Sequence, residues 1–506
     1  MQAFAPIPLG TPIPDSPHAV SCSLPTMAAV RGYEEKDPAV LGRLRSGYPR
    51  FLVHPFSRRL ASALAQRHGL AGRTLWLASS RRMAAELLAH LQAPGAGASG
   101  AAPFGMDGVH GVSHPESPEL ALRAKLYLQN VGGFLSSREA EDRLAAMGIG
   151  PGPGVEASFP GDAAAEVRRI LKPVFAGAAD GDLLLASSGM NAVYSAFRAV
   201  TDLQARRGRT GWVQLGWLYL DTIAILRKFT ASKTDYIHVP DVMDMGALGS
   251  LFAGRGSGIA GVVAEVPTNP LMQTPDVARL AQLCRAHSIK LILDPSLASA
   301  FSVDCLPHAD LVVNSLTKYT GSDGDIIAGL VAVNPAAPDA GFLRRAAAAT
   351  IEPLYPRDLA RLAAQIGNTR AVLARIEEST PRVAAFLASH PAVRTTHWAL
   401  EPASRDNYLR VARSPGATGG TISFTVRGRL DSFYDRLRLP KGPSFGMRTT
   451  LICPFMYLAH YDMVTSESGR AELAANGLDP ELLRICVGTE PADEIIGALD
   501  EALKGA

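Results

Sequence analysis

From about residue 163 onward, short apolar runs alternate with helical patterns, and no other feature constrains the fold as tightly. The runs at 183–186 (LLLA), 259–264 (IAGVVA), 291–293 (LIL) and 311–314 (LVVN) are too short for helices and read as buried strands. Between them lie the helical patterns 163–175, a helix from Asn191, and 276–287. Buried strands alternating with helices imply βαβ units, hence an α/β fold around a mostly parallel sheet. Beyond about 345 a helical region, 357–390, precedes strand-like 421–426 and 484–487 and a last helix, 491–504. That pattern predicts a smaller C-terminal α+β domain.

The N-terminal third reads differently. Residues 1–18 carry Pro6, Pro8, Pro12, Pro14 and Pro17 and are expected to be irregular. Leu60, Leu64 and Leu70 mark a helix over 57–70. Leu75-Trp76-Leu77 marks a strand, and Leu87, Leu88 and Leu91 a second helix. Gly/Pro-rich 93–104 and 150–160 read as loops or linkers around a mostly helical 117–147. The expected division is 1–165 as an N-terminal extension with an inserted helical region and a subunit-contact segment, 166–345 as the large α/β domain, and 346–506 as the C-terminal domain.

Composition excludes several classes. The formal charge is +3 with the signs interspersed, which makes no electrostatic case for nucleic acid or a membrane surface. No apolar run approaches the roughly 18 residues of a membrane span. The five cysteines are scattered, with no zinc spacing, so no metal site is expected and they read as free thiols. The first 30 residues hold no Lys or Arg, against a secretory or transit segment, and the expected location is cytoplasmic.

The chemistry gathers at strand ends, where sites of parallel α/β sheets lie. The 183–186 strand runs into Ser187-Ser188-Gly189-Met190 and opens a helix. Helix N-terminal N–H groups beside a glycine form a phosphate cup, although a small-residue turn is by itself only a cap. The 259–264 strand ends in Glu265-Val266-Pro267-Thr268-Asn269-Pro270, and the 291–293 strand ends in Asp294. The 311–314 strand runs into Ser315-Leu316-Thr317-Lys318-Tyr319. The chain has nine lysines against 41 arginines, so a lysine just past a strand end stands out. A lysine with hydroxyls at minus three and minus one suits pyridoxal 5′-phosphate (PLP). The amine can form a Schiff base with the aldehyde and the hydroxyls can donate to the phosphate. Asp294 could pair with the pyridinium nitrogen, and Asn269 with the ring's 3′ oxygen. Each signal also has a structural explanation, as cap, turn or surface loop. Their order on successive strand ends is the stronger argument.

These blocks, with Ser444-Phe445-Gly446 and Leu483-Arg-Ile-Cys-Val-Gly-Thr-Glu490, resemble the Cys/Met-metabolism PLP enzymes over about 165–505. That group includes cystathionine γ-synthase, cystathionine lyases and homoserine sulfhydrylases. The N-terminal blocks 21–25, 32–35 and 47–51, with Ser136-Ser-Arg-Glu-Ala-Glu141, resemble the longer fungal-type cystathionine γ-synthases. The resemblance implies PLP fold type I (aspartate-aminotransferase-like). It implies Lys318 as the PLP-bearing and proton-moving residue and Asp294 as the ring-nitrogen partner. Ser188, Gly189, Met190, Ser315 and Thr317 would surround the phosphate, Arg484 would take the substrate carboxylate, and Ser444 would lie nearby. The family's Tyr-x-Arg motif, which reaches the neighbouring subunit's phosphate, corresponds to Tyr48-Pro49-Arg50. Shared active sites in a dimer or tetramer follow from it.

Three positions depart from the family pattern. The ring-stacking aromatic of Tyr-Gly-Gly-Thr is matched only by Tyr219-Leu220-Asp221-Thr222, with Trp217 as a competitor. Pro295-Ser296 replaces Asn-Thr after Asp294. Thr449 stands where γ-acting members often have Glu. A second turn, Ser79-Ser80-Arg81-Arg82, also opens a helix but lacks the glycine, and its arginines would crowd a buried phosphate. The resemblance implies small-molecule amino-acid substrates and γ-replacement on an O-acylhomoserine by a thiol. The alternatives are sulfhydrylase, lyase or specialised γ-synthase activity, and lastly a non-catalytic homologue.

Overall fold

A computed structural model describes residues 4–48, 51–93 and 100–504. Its centre is a seven-stranded sheet in the order Leu183–Ala186, Gly329–Val333, Leu311–Ser315, Lys290–Asp294, Ile259–Glu265, Gly211–Leu215, Tyr236–Val239. Gly329–Val333 runs antiparallel to both of its neighbours, and the other pairings are parallel. Both faces are buried, and side chains alternate between them with the strand period of two. Leu291 and Leu293 pack into one layer and Ile292 into the other. Val312 likewise opposes Leu311 and Val313. This two-sided burial explains why the strands read as unbroken apolar runs.

In the central and C-terminal sheets, five strands were not legible as strands: Gly211–Leu215, Tyr236–Val239, Gly329–Val333, Val393–Trp398 and Leu451–Pro454. They are four to six residues long, and several carry polar residues inside. Gln214 is fully buried because its amide is satisfied locally, donating to the Gly216 carbonyl (2.8 Å) and accepting from the Tyr236 hydroxyl (2.6 Å).

The C-terminal part carries a four-stranded antiparallel sheet in the order Val393–Trp398, Thr421–Val426, Leu483–Cys486, Leu451–Pro454. The helical region expected over 357–390 is two helices, Pro356–Ile366 and Thr369–Ser389, divided at Gly367-Asn368. The helix expected from Asn191 begins at Gly189, because Ser188 caps it.

The region before residue 165 is less helical than its sequence suggests. It holds a three-stranded antiparallel sheet ordered Arg73–Ala78, Val109–Pro115, Ala102–Met106. The last of these begins within the 93–104 stretch expected as a loop. Cross-strand pairing there overrides weak local preference. Leu75, Leu77, Phe104 and Val109 form a small core with Leu60, Leu64, Ala140 and Leu144 from two helices. The proline-rich start is not wholly irregular either, since Pro12–Ile13 pairs with Ser21–Cys22. Residues 22–44 then bury Leu24, Met27 and Val30 in the C-terminal core beside Phe424, Phe433 and Ile485. Among the described residues no helix is long and apolar enough to cross a membrane.

Candidate active site

The parallel strands present their carboxyl ends at one edge of the sheet, and a cavity lies there. The strands and their following turns supply Gly189, Met190, Tyr219, Glu265, Asn269, Asp294, Ser296, Ser315 and Lys318 to its wall. The C-terminal part adds Ser444, Phe445, Cys453, Phe455 and Arg484, and the N-terminal segment adds Tyr48 and Phe51.

At one end, helix Gly189–Ala205 points its N-terminus into the cavity wall. A side chain at Gly189 would put its Cβ 2.8 Å from the Ser315 Cβ and 3.0 Å from its Oγ. Only glycine leaves this cradle open for an anion on the helix N-terminus. The Ser296 hydroxyl accepts from the Ser315 N–H at 2.8 Å and so fixes the far side of the cradle.

Asp294 and Glu265 stand side by side, paired in register at the ends of adjacent strands. Burial raises the Asp294 carboxyl from its ordinary range to about 6, against the opposing pull of its bonds with Ser296. Burial, together with the neighbouring Asp294, pushes Glu265 well above its ordinary range. The Glu265 carboxylate accepts from the Tyr219 N–H (2.6 Å) and the Asn269 N–H (3.1 Å), which fixes two other strand-end turns. Two buried acids side by side, with only the more distant Arg484 charge drawing Glu265 down, form a ready receptor for one further positive charge.

The Lys318 amine donates to the Ser444 hydroxyl at 2.7 Å and lies over the faces of Tyr48 (4.5 Å) and Phe445 (4.7 Å). Its backbone is held by Tyr319, a fully buried residue whose hydroxyl donates to the Leu297 carbonyl and accepts from the Gly420 N–H, both at 3.0 Å. Arg484 donates to Asn269 Oδ1 (3.1 Å) and to the Ser444 carbonyl (3.4 Å). The rings of Phe445 and Phe455 cover it, 4.9 and 4.5 Å from its Cζ. A guanidinium pressed between rings is held in plane and partly stripped of water, which suits it to a carboxylate.

The structure therefore brings Tyr48, Gly189, Met190, Tyr219, Asn269, Asp294, Ser315, Lys318, Ser444 and Arg484 to one cavity. Two expected residues are not in its wall. The Ser188 hydroxyl is used as a helix cap, accepting from the Asn191 N–H at 3.1 Å, and Ser188 lines a neighbouring cavity instead. The Thr317 hydroxyl is paired with the Ala328 backbone, donating at 3.3 Å and accepting at 3.1 Å. Arg50 lies outside the described residues. Trp217 does not line the cavity, and its indole N–H donates to His460 at 3.1 Å. In the second turn, Arg82 pairs with Glu86 and Glu352. Phe445, Phe455, Glu265 and Ser296 were not assigned roles from the sequence. Glu265 carries the same signal as Asp294, a carboxylate ending an apolar strand. The two phenylalanines carry none, since an aromatic beside a strand or loop is ordinarily core.

A strand-end lysine, a buried acid opposite it and an anion cradle on a helix N-terminus match the aldehyde, ring nitrogen and phosphate of PLP. The fold and this fit define a PLP-dependent enzyme. The family model for the Cys/Met metabolism PLP-dependent enzymes matches residues 175–504, and the chain belongs to that family. It is 38% identical to the L-2-amino-4-chloropent-4-enoate dechlorinase/desaturase of Streptantibioticus cattleyicolor, over 98% of each chain. It is 26% identical to the cystathionine γ-synthase of Neurospora crassa, over 99% of each. Among solved structures it is similar to cystathionine γ-lyase from Lactobacillus plantarum complexed with L-serine. The TM-score is 0.58 at 21% identity, covering 71% of this chain and 95% of that one.

Proposed function

We propose that this enzyme eliminates a substituent that is uncharged while bound from the γ-carbon of a small L-α-amino acid, with L-2-amino-4-chloropent-4-enoate as the model substrate. One observation carries the reading. Among the described residues, Lys318 and Arg484 are the only basic side chains in the cavity wall, and Phe51, Leu220, Phe445, Phe455 and Leu458 supply much of the remainder. Arg484 answers the α-carboxylate. A substrate with a second carboxylate would bury that charge against aromatic rings, a cost of several kcal/mol without a partner cation. A chloro substituent carries no such penalty. The 38% identity to the Streptantibioticus cattleyicolor enzyme supports the same choice.

In this reading Gly189, Met190 and Ser315 hold the PLP phosphate, Asp294 carries the charge opposite the ring nitrogen, and Tyr219 covers the ring. Bound PLP supplies an electron sink for the pair left at Cα. The other steps belong to the chain's own groups. Arg484 fixes the carboxylate and thereby the direction of the Cα–H bond. The Lys318 amine, aimed by Ser444, takes the Cα proton and moves protons along the substrate carbons. Chloride leaves as a stable anion and needs no acid, so an apolar wall around Cγ suits the step.

A second reading, γ-replacement on an O-acylhomoserine by a thiol to give cystathionine, is favoured by the end-to-end likeness to the Neurospora crassa synthase. An acetyl ester is uncharged and suits the same wall. The test is a product assay on the PLP-loaded protein. The chloroalkene amino acid is offered alone, and O-acetyl- and O-succinylhomoserine with and without cysteine. Chloride release with a product lighter by one HCl is the expected result. Cystathionine as the faster product would replace the first reading with the second.

A further inference from the structure

Trp217 and His460 lie just behind the cavity wall, and each stands close in the chain to residues that form it: Tyr219 and Leu220 on one side, Leu458 and Ala459 on the other. Their rings meet edge to face with centroids 5.1 Å apart, and the Trp217 indole N–H donates to His460 Nε2 at 3.1 Å. An indole nitrogen can only donate, so Nε2 accepts and the imidazole proton sits on Nδ1. Burial lowers the His460 pKa from 6.5 to about 4, so the ring is neutral and able to accept at neutral pH. Both residues are buried, and water does not compete for the bond.

The two sides of this bond differ in freedom. On the Trp217 side the turn is fixed. The Gly216 N–H donates to the Val239 carbonyl (2.7 Å), the Gln214 amide to the Gly216 carbonyl (2.8 Å) and the Tyr219 N–H to Glu265 (2.6 Å). Gly216 has a φ of +74°, and a Cβ there would lie 2.3 Å from Val242, so this tight turn requires glycine. On the other side, helix Phe455–Ala459 is only five residues long. Its first residue is held to the neighbouring strand, since the Phe455 N–H donates to the Leu482 carbonyl at 3.0 Å. Its far end carries Leu458 and Ala459 in the cavity wall and runs into His460, the joint with helix Tyr461–Thr465. The exposed Arg227–Glu472 contact at 3.5 Å also links helix Leu220–Phe229 to the chain beyond His460, but solvent screens it.

We propose that Trp217 and His460 are a positioning pair: their bond holds the Leu458–Ala459 end of the short helix against the fixed turn, and so sets how long an amino-acid side chain the cavity accepts. Trp217 then acts from behind the wall rather than as a face of the cofactor. The inference rests on the reading of the cavity as a PLP site for a small α-amino acid, but not on which γ-substituent leaves.

The test is binding, without turnover. L-Alanine, L-norvaline and L-norleucine carry no leaving group, and each is titrated against the visible band of the full-length PLP-loaded protein. The wild type should bind norvaline, which has the five-carbon chain of the model substrate, more tightly than norleucine. Trp217→Phe keeps a ring but cannot donate. It should reduce that preference about tenfold, the scale of one methylene in an apolar pocket, and leave the alanine dissociation constant unchanged. His460→Phe should match it, and the double variant should add nothing further. His460→Gln offers an amide oxygen to the indole and should keep the wild-type preference. A wild type that does not discriminate, or an unchanged preference in Trp217→Phe and His460→Phe, overturns the inference. So does an equal loss for alanine and norvaline, which would make the pair a stabiliser of the fold alone, or a loss in His460→Gln equal to that in His460→Phe. No probe has a γ-leaving group, so failure of the chloride assay would leave these titrations standing.

Discussion

Arg484 illustrates how one residue acquires a role from its surroundings. Two phenyl rings and the Asn269 carbonyl oxygen hold its guanidinium at the cavity wall. Arg484→Ala is expected to raise KM for the amino acid about a hundredfold, as loss of a charge-assisted pair of roughly 3 kcal/mol does. The visible PLP band should be unchanged, and titration of substrate against that band checks both points. Asp294 carries the pH dependence. In the apoprotein its carboxyl is raised from 3.8 to about 6 by burial. The folded state therefore holds the proton longer than the unfolded state does. This contribution to apoprotein stability is present below the unfolded value and is lost as pH rises to about 6. PLP binding needs the ionised form, so affinity for PLP should rise as pH passes upward through about 6. Asp294→Asn should weaken binding and flatten that rise, measured by cofactor fluorescence or absorbance between acid and neutral pH.

At the scale of elements, two helix starts matter most. Helix Gly189–Ala205 needs a glycine at its first position because the Ser315 side chain lies 2.8 Å from where a Cβ would be. Gly189→Ala should leave circular dichroism near wild type and raise the PLP dissociation constant at least tenfold, about 1.4 kcal/mol. Normal PLP affinity in that variant would remove the helix from the cofactor site. Helix Pro55–Arg67 is capped by His54, whose Nδ1 accepts from the Phe56 N–H at 3.2 Å. Burial lowers the His54 pKa from 6.5 to about 4. The unfolded chain therefore takes up a proton first as pH falls. This residue's contribution, roughly 3 kcal/mol by linkage, is full above pH 6.5 and is lost between 6.5 and about 4. His54→Asn keeps a capping side chain without the titration, and its Tm should fall less steeply over that window than wild type's.

At the scale of the molecule, three parts of the chain meet at one cavity: the sheet edge, the C-terminal part, and Tyr48 and Phe51 of the N-terminal region. The segment 22–44 is part of the C-terminal core, and the Tyr48 ring after it lies beside the Lys318 amine.

The strands Leu183–Ala186, Ile259–Glu265, Lys290–Asp294 and Leu311–Ser315 and the residues at their ends were legible in the chain itself. A strand buried on both faces must be apolar throughout, and the polar residue that ends it then stands out. Lys318, Asp294 and Gly189 were visible on that ground. The short strand Gly211–Leu215 was not, because its buried Gln214 is satisfied by partners that only folding supplies. The sheet of the N-terminal third was hidden too, since its strands are held by pairing partners up to about 40 residues away rather than by local preference. Thr317 is a candidate phosphate ligand by spacing and Ser188 by its turn at a helix start, but in the structure the Thr317 hydroxyl bonds the Ala328 backbone and the Ser188 hydroxyl caps the helix. Local pattern thus determined four strands of the central sheet and pointed to the candidate acid, lysine and glycine at their ends. Tertiary packing alone decided that Phe445 and Phe455 flank Arg484 and that the Tyr48 ring lies beside Lys318, because contacts between residues far apart in sequence leave no period in the chain to read.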